Sequence, residues 1–321
     1  MALAVLAVPG TGASTAQAAA DVSPAVRTIT HEQIEKAYAT ADSRFVSIDG
    51  VRLHYKDQGH GPAILLIHGS MGDTIDWDGW VAVLSPRYRV IRLDLPGFGL
   101  SGEIANGNYS IDRTLSLIDG LMDHLGLETF AIAGVSYGGP VAFRYAATRT
   151  ERVSALIIMN SAGVEMGKQI VDQKTGKPQF YASISSQAPI SRAFMEAAMA
   201  RSFADPSKVP PGMLQRKLDM MNVIGRGVEG DIMVKQYVRG DPERVLSHVR
   251  APTLVLWGGA ERSLSLSTAD RFVEALTHAK KVEKVIEPGG DHFMHVEHAR
   301  STARIARDFL DATLSPPPLD H

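Results

Sequence analysis

A series of short, wholly apolar runs constrains this chain more than any other feature: AILLI (63–67), TFAIAGV (129–135), SALIIM (154–159) and PTLVLW (252–257). A run with no polar face must be covered on both sides, as strands of a parallel sheet are. RVIRLD (89–94) and KVEKVI (281–286) are further strand candidates. RFVSIDGVRLHYK (44–56) reads as two short strands joined at Asp49-Gly50, a hairpin signal. Helical spacing lies between several of these runs. Ile111, Leu115, Ile118, Met122 and Leu125 share one helix face, with Ser110 placed to cap it and Gly126 just past its end. Residues 139–149, 265–278 and 298–313 read as further helices. Strands alternating with helices predict an α/β fold with a mostly parallel sheet and helices on both faces.

The interval from about Val164 to Ser247 breaks that rhythm. It holds no convincing strand, begins polar, and then turns helical and rich in methionine: Met195, Met199, Met213, Met220, Met221 and Met233. Two compatible readings follow. The methionines fill a small core of the insertion's own, or they line an apolar pocket beneath a helical cap.

The 321 residues suit one large α/β domain with an insertion, or two small domains. With no cysteine, disulfides play no part, and a chain of this length buries enough core without them. A net charge of -2 gives no ground for a nucleic-acid partner. No run is long enough for an ordinary transmembrane helix. The first residues, ALAVLAVPGTGASTAQAAA, are apolar and then small, ending near Ala16-Gln17-Ala18. They look like a secretory leader with its cleavage site but lack a basic start. Export, periplasmic or secreted, is the expectation, with a cytoplasmic chain as the alternative. Residues 1–25 are set aside from the fold as a leader or unstructured segment, and SPPPLDH (315–321) as an unstructured tail.

The chemistry concentrates at Gly134-Val135-Ser136-Tyr137-Gly138, which fits G-x-S-x-G. The pattern alone is weak. Here it follows an apolar strand and precedes a helix, the setting in which a sharp turn exposes a nucleophilic serine. Flanking glycines remove Cβ atoms that would clash with strand and helix. The serine also sits at a helix N-terminus, which favours developing negative charge. An inert turn is the competing reading.

Several ordered motifs resemble the α/β-hydrolase superfamily over nearly all of residues 44–313. His68-Gly69-Ser70 follows a strand as that family's oxyanion loop does; Asp94 to Ser101 resembles its D-x-P-G-x-G-x-S segment; Trp257-Gly258 ends a late strand; His292 to Glu297 resembles its histidine loop. The resemblance implies a core over 26–163 and 248–314 with a helical cap over 164–247. It points to Ser136 as nucleophile, His292 as base and Glu261 as the acid, three residues after the strand-end glycine. Asp291 and Glu165 remain alternative acids. Asp291 also stands where the family often has glycine before its histidine. The oxyanion donors implied are the backbone N–H groups of Ser70 and Tyr137. Met71 and Trp77 are candidate pocket residues, though packing serves the tryptophan equally well. His292, His295 and His298 are spaced by three, which drifts around a helix and completes no recognisable metal signature. No cofactor or metal is implied.

These residues predict a serine hydrolase of carboxylic esters, acting through an acyl-enzyme on a small to medium hydrophobic ester. Dehalogenases and epoxide hydrolases of the superfamily use Asp as nucleophile, against which Ser136 stands. Carbon–carbon hydrolases of ring-cleavage products use Ser, and their substrate acid could be read by Arg192, Arg201, Arg216 or Arg226. A non-catalytic ligand-binding member of the fold is the third reading. Oligomeric state is not legible in the sequence.

Overall fold

The computed structural model describes residues 28–164, 189–226 and 240–314. Glu165, Met233, the leader and the tail lie outside them. The chain opens with α1 (His31–Tyr38), whose cap Thr30 and Gln33 satisfy each other's backbone N–H groups. β1 (Arg44–Ile48) and β2 (Val51–Gln58) form the expected hairpin, with Asp49 and Gly50 both at positive φ. β3 (Ala63–Ile67), α2 (Asp78–Leu84), β4 (Arg89–Leu93), α3 (Ile111–His124), β5 (Phe130–Ser136), α4 (Gly138–Thr148) and β6 (Val153–Ser161) continue the alternation. Three helices come next among the described residues: α5 (Arg192–Ser202), α6 (Met213–Met221) and α7 (Pro242–Leu246). The chain then returns through β7 (Thr253–Gly258), α8 (Leu266–Ala275), β8 (Val282–Glu287), the single turn α9 (Met294–Glu297) and α10 (Ala299–Leu314).

The eight strands form one sheet in the order β1-β2-β4-β3-β5-β6-β7-β8. β2 runs antiparallel to both neighbours, and β3 through β8 are parallel. Period two decides which face each residue serves. Leu65 and Ile67 of β3 pack with α3, α4 and α8, whereas Ile64 and Leu66 pack with α2 and α10. All four are fully buried, and each such side chain contributes ~1.5–3 kcal/mol. Because β3 through β8 run parallel, they deliver their carboxyl ends to one edge of the sheet, and the connections from the neighbours β3 and β5 leave in opposite directions there.

The methionines of α5 and α6 do more than fill a core of their own. Met195, Met199, Met213 and Met221 pack against Met71 and Phe293, which belong to loops at the strand ends. Two buried ion pairs hold α6 to the core. Arg216 meets Asp73 at 3.1 Å, and Lys217 meets Asp76 at 2.8 Å. On the other side of α6, α1 packs Ile34 with Met220, and Tyr38 donates its hydroxyl proton to Asp219. No described helix is long and apolar enough to cross a membrane.

The D-x-P-G-x-G-x-S segment is a structural knot. The buried Asp94 carboxylate accepts the backbone N–H groups of Thr74 and Leu100 and pairs with His54. Ser101 Oγ donates to the Asp94 carbonyl and accepts from the His54 N–H. Gly99 sits at φ +50°, and a Cβ there would lie 2.1 Å from Asp94 Oδ2.

Candidate active site

Ser136 ends β5 at φ 51°, an unfavourable backbone for a residue with a Cβ. The strain is held by close packing on both sides of the turn. A Cβ on Gly134 would lie 2.2 Å from the Gly138 carbonyl oxygen, and one on Gly138 would lie 2.5 Å from that of His68. The His68-Gly69-Ser70 loop presses equally near, since a Cβ on Gly69 would come within 3.0 Å of the Ser136 Cβ. Ser70 therefore flanks the serine, and Tyr137 follows it at the start of α4. His68 is fully buried and serves the loop itself. Its Nδ1–H donates to the Gly69 carbonyl, and its Nε2 accepts the Leu95 N–H. Burial pushes its pKa down, against the pull of Asp94, which keeps the ring neutral.

Ser136 Oγ donates to His292 Nε2 at 3.0 Å, and His292 Nδ1–H donates to Glu261 Oε2 at 2.8 Å. The three side chains come from the ends of β5, β7 and β8. Glu261 is no surface residue paired with Arg262. Its side chain is 0% exposed, and its second oxygen accepts the N–H groups of Ser263 and Leu264. Burial alone would raise its carboxyl, but the attraction and hydrogen bond of His292 outweigh this and hold it below the ordinary value. Burial likewise works to lower His292, and Glu261 with Asp291 more than compensates, so its pKa is raised.

Asp291 takes a different place. Its carboxylate accepts the backbone N–H groups of His292 and Arg262 and the Arg262 Nε–H, tying the acid loop to the histidine loop. Arg262 in turn donates to the carbonyl of Phe203 just beyond α5. Glu297, the last residue of the histidine motif, accepts from Ala204 and Asp205. Both loops thus grip the end of α5. The three histidines go to separate surroundings. His298 pairs with Glu287, and His295 lies fully buried against Trp77 and Phe293.

Two placements differ from expectation. Trp77 does not reach the cleft wall. It is 0% exposed and packs edge-on to Trp80 in the layer below the sheet, because a capped turn at Thr74–Trp77 directs it inward. Met71 faces α5 and α6 across the methionine cluster. Among the described residues the cleft beside Ser136 is lined instead by Ser70, Asp76, His292, Phe293 and His295.

One residue that sequence reasoning passes over is Asn160, at the end of β6 with φ 33°. It is fully buried, accepts the Gly258 N–H, and donates to the carbonyls of Asp291 and His292. A single amide thereby joins the ends of β6 and β7 to the histidine loop. A lone Asn ending an apolar strand, where a polar group must find buried partners, is the only sequence signal it leaves.

The α/β-hydrolase-fold family profile matches residues 62–299. The chain belongs to the α/β-hydrolase family. This hydrolase is 27% identical over 292 residues to a 2-hydroxy-6-oxononadienedioate/2-hydroxy-6-oxononatrienedioate hydrolase of Cupriavidus pinatubonensis, covering 84% of this chain and 95% of that one. It is also 27% identical over 232 residues to haloalkane dehalogenase 2 of Mycobacterium tuberculosis, covering 68% and 77% of the two chains. Among solved structures, a bacterial membrane phospholipase A superposes with a TM-score of 0.73 at 27% identity, covering 85% of this chain and 87% of that one.

Proposed function

We propose that this hydrolase cleaves carboxylic esters through an acyl-enzyme on Ser136. The observation that carries the reading is the continuous relay from Ser136 through His292 to a buried Glu261, at 3.0 and 2.8 Å. Ser136 Oγ attacks the ester carbonyl while its proton passes to His292 Nε2. The oxyanion forms against the backbone N–H groups of Ser70 and Tyr137, each worth on the order of 3 kcal/mol. Collapse expels the alcohol, which leaves with the proton from Nε2. Water then attacks the acyl carbonyl, giving Nε2 a proton, and collapse returns that proton to Ser136 Oγ and releases the acid. Glu261 holds Nδ1–H in place throughout and stabilises the imidazolium.

Carbon–carbon hydrolysis of a ring-cleavage dicarboxylate is the second reading, favoured by the name of the Cupriavidus relative. It needs a cation facing the substrate acid. Among the described residues the cations near the site are already engaged: Arg216 by Asp73, Lys217 by Asp76, and Arg226 by the carbonyls of Gly99 and Met220. Arg192 and Arg201 of α5 are exposed. This balance favours the uncharged ester.

A fluorophosphonate probe and a p-nitrophenyl ester chain-length series test the proposal, with a ring-cleavage dicarboxylate as the competing substrate. Labelling at Ser136 that disappears in His292→Ala, with ester turnover exceeding dicarboxylate turnover, is the expected result. Folded protein that takes up no probe would instead mark a ligand-binding member of the fold.

A further inference from the structure

The turn that carries one of the proposed oxyanion donors is held from α6. Gly69, Ser70, Met71 and Gly72 form a tight turn, closed by the Gly72 N–H on the Gly69 carbonyl at 3.0 Å. Met71, its third residue, sits at φ 58°, in the left-handed region that favours glycine. A residue with a Cβ keeps that backbone only where its surroundings hold it there. Two contacts from the segment between β6 and β7 do so. The Met71 side chain packs among the methionines of α5 and α6, and its carbonyl accepts from Lys217 Nζ at 3.0 Å.

Lys217 is fully buried in the middle of α6. It also donates to both oxygens of Asp76, at 2.8 and 3.0 Å, and its ammonium lies 5.5 Å from the centroid of the Phe293 ring, next to His292. An ion pair needs only the carboxylate. The bond to Met71 leads on through the turn, because a peptide unit held by its carbonyl has its N–H fixed as well. The peptide unit whose carbonyl Lys217 holds presents the Gly72 N–H to the Gly69 carbonyl. The peptide unit of that second carbonyl presents the Ser70 N–H. His68 Nδ1–H braces the Gly69 carbonyl from another side, at 2.7 Å. The buried ammonium and the Ser70 N–H thus stand at the two ends of one hydrogen-bonded chain, and the bonds of such a chain polarise one another.

We infer that Lys217 is a positioning residue for the oxyanion hole, acting through the 69–72 turn to aim and polarise the Ser70 N–H. This rests on the ester-hydrolase reading and adds to it a residue of α6 that works without touching the reacting atoms. Without the ammonium, Met71 loses the bond that fixes its carbonyl, and the turn can relax from its positive φ. The Ser70 N–H then no longer points where the tetrahedral oxygen forms, so the loss falls on the transition state and not on substrate binding.

The test compares p-nitrophenyl butyrate with its thionoester, in which sulfur replaces the carbonyl oxygen. Sulfur accepts hydrogen bonds weakly, so the ratio of kcat/KM for the oxygen ester to that for the thionoester reads how well the hole serves an oxyanion. Lys217→Met/Asp76→Asn and Lys217→Leu/Asp76→Asn are measured against Asp76→Asn, which shares their neutral group at position 76 and keeps the lysine. Deleting an oxyanion donor outright costs about 10²–10³ in kcat. A donor loosened but still present should lower kcat by about 10–100-fold relative to Asp76→Asn, with KM little changed and the ester ratio reduced about tenfold. A residue that only supports the fold would reduce turnover of both substrates alike and leave the ratio where it was. Thermal melting identifies variants folded at the assay temperature, and either double variant suffices. An unchanged ratio in a folded double variant, or a ratio near one in wild type, overturns the inference while leaving ester hydrolysis intact. Wild type that takes up no fluorophosphonate and cleaves neither ester overturns both.

Discussion

Replacing Glu261 with glutamine tests the relay at its most informative point. The carboxylate does two jobs at once: Oε2 accepts from His292 Nδ1–H at 2.8 Å, and Oε1 accepts the N–H groups of Ser263 at 2.6 Å and Leu264 at 3.1 Å. A glutamine keeps its carbonyl oxygen on the two backbone donors, where no other group can serve. Its NH2 then faces Nδ1 and forces that nitrogen to accept, which moves the ring proton to Nε2. A protonated Nε2 cannot take the proton of Ser136. The analogous loss of an orienting carboxylate costs about four decades in rate, so Glu261→Gln should lower kcat by ~10³–10⁴, or ~4–5.5 kcal/mol of barrier. The pH profile gives a second, independent reading. His292 must be neutral to act as base, so activity rises as pH climbs through its pKa. Glu261 helps hold that pKa above the ordinary 6.5, against the effect of burial, so the wild-type acid limb lies above 6.5. Without the carboxylate charge the limb should move to lower pH. The assay is p-nitrophenyl butyrate hydrolysis from pH 5 to 9, with thermal melting to confirm the fold. A variant within tenfold of wild type whose acid limb has not moved would falsify the assignment of Glu261 as the orienting acid.

Three further substitutions probe the scaffold. Asn160→Ala leaves the Gly258 N–H and the Asp291 carbonyl without their buried partner, so denaturant unfolding should show a loss of ~2–5 kcal/mol, with kcat falling more than KM rises. Lys217→Met strands Asp76 as a buried unpaired acid and should cost ~3–5 kcal/mol, most of it recovered in the Lys217→Met/Asp76→Leu double variant; no recovery would mean the pair is not the source. Asp94 is held down at about 2, chiefly by His54 and its backbone donors working against burial, so its contribution is present above about pH 4 and lost as pH falls towards 2. Asp94→Asn should flatten that part of the stability profile, measured by urea unfolding at stepped pH.

The sheet was legible because its central strands have no polar face. AILLI is β3 from first residue to last, and the other apolar runs fall within a residue or two of their strands. The relay was legible for a related reason: strand ends are marked by glycine, and each reacting side chain sits at a short fixed distance past one. What the sequence hid lies between residues distant along the chain. Arg216 and Asp73 are 143 positions apart, and Lys217 and Asp76 are 141 apart, so no local pattern announces either pair. Trp77 misled because an aromatic near an oxyanion loop suits a pocket wall and a core equally. Only the direction of the turn from Asp73 decides between them, and that turn depends on Asp73 and Asp76 capping each other's backbone. The spacing of His295 and His298 after His292 completed no metal signature, and it gave no sign that His295 would lie deeply buried with neither nitrogen partnered among the described residues.

The site's precision comes from side chains that bind backbone. Ser136 is held by glycines that let the His68 carbonyl and α4 approach, Glu261 by two N–H groups of its own loop, and His292 by the Asp291 carboxylate on its N–H and the Asn160 amide on its carbonyl. Each such bond fixes a main-chain position, and a main-chain shift of 1 Å at any of them moves a reacting atom by as much. A bond stretched from 3.0 to 4.0 Å no longer transfers a proton. The residues that never touch substrate here, Asn160 and Asp291 foremost, therefore govern turnover through the geometry of others. Their substitution should depress kcat in step with the loss of order in the histidine loop.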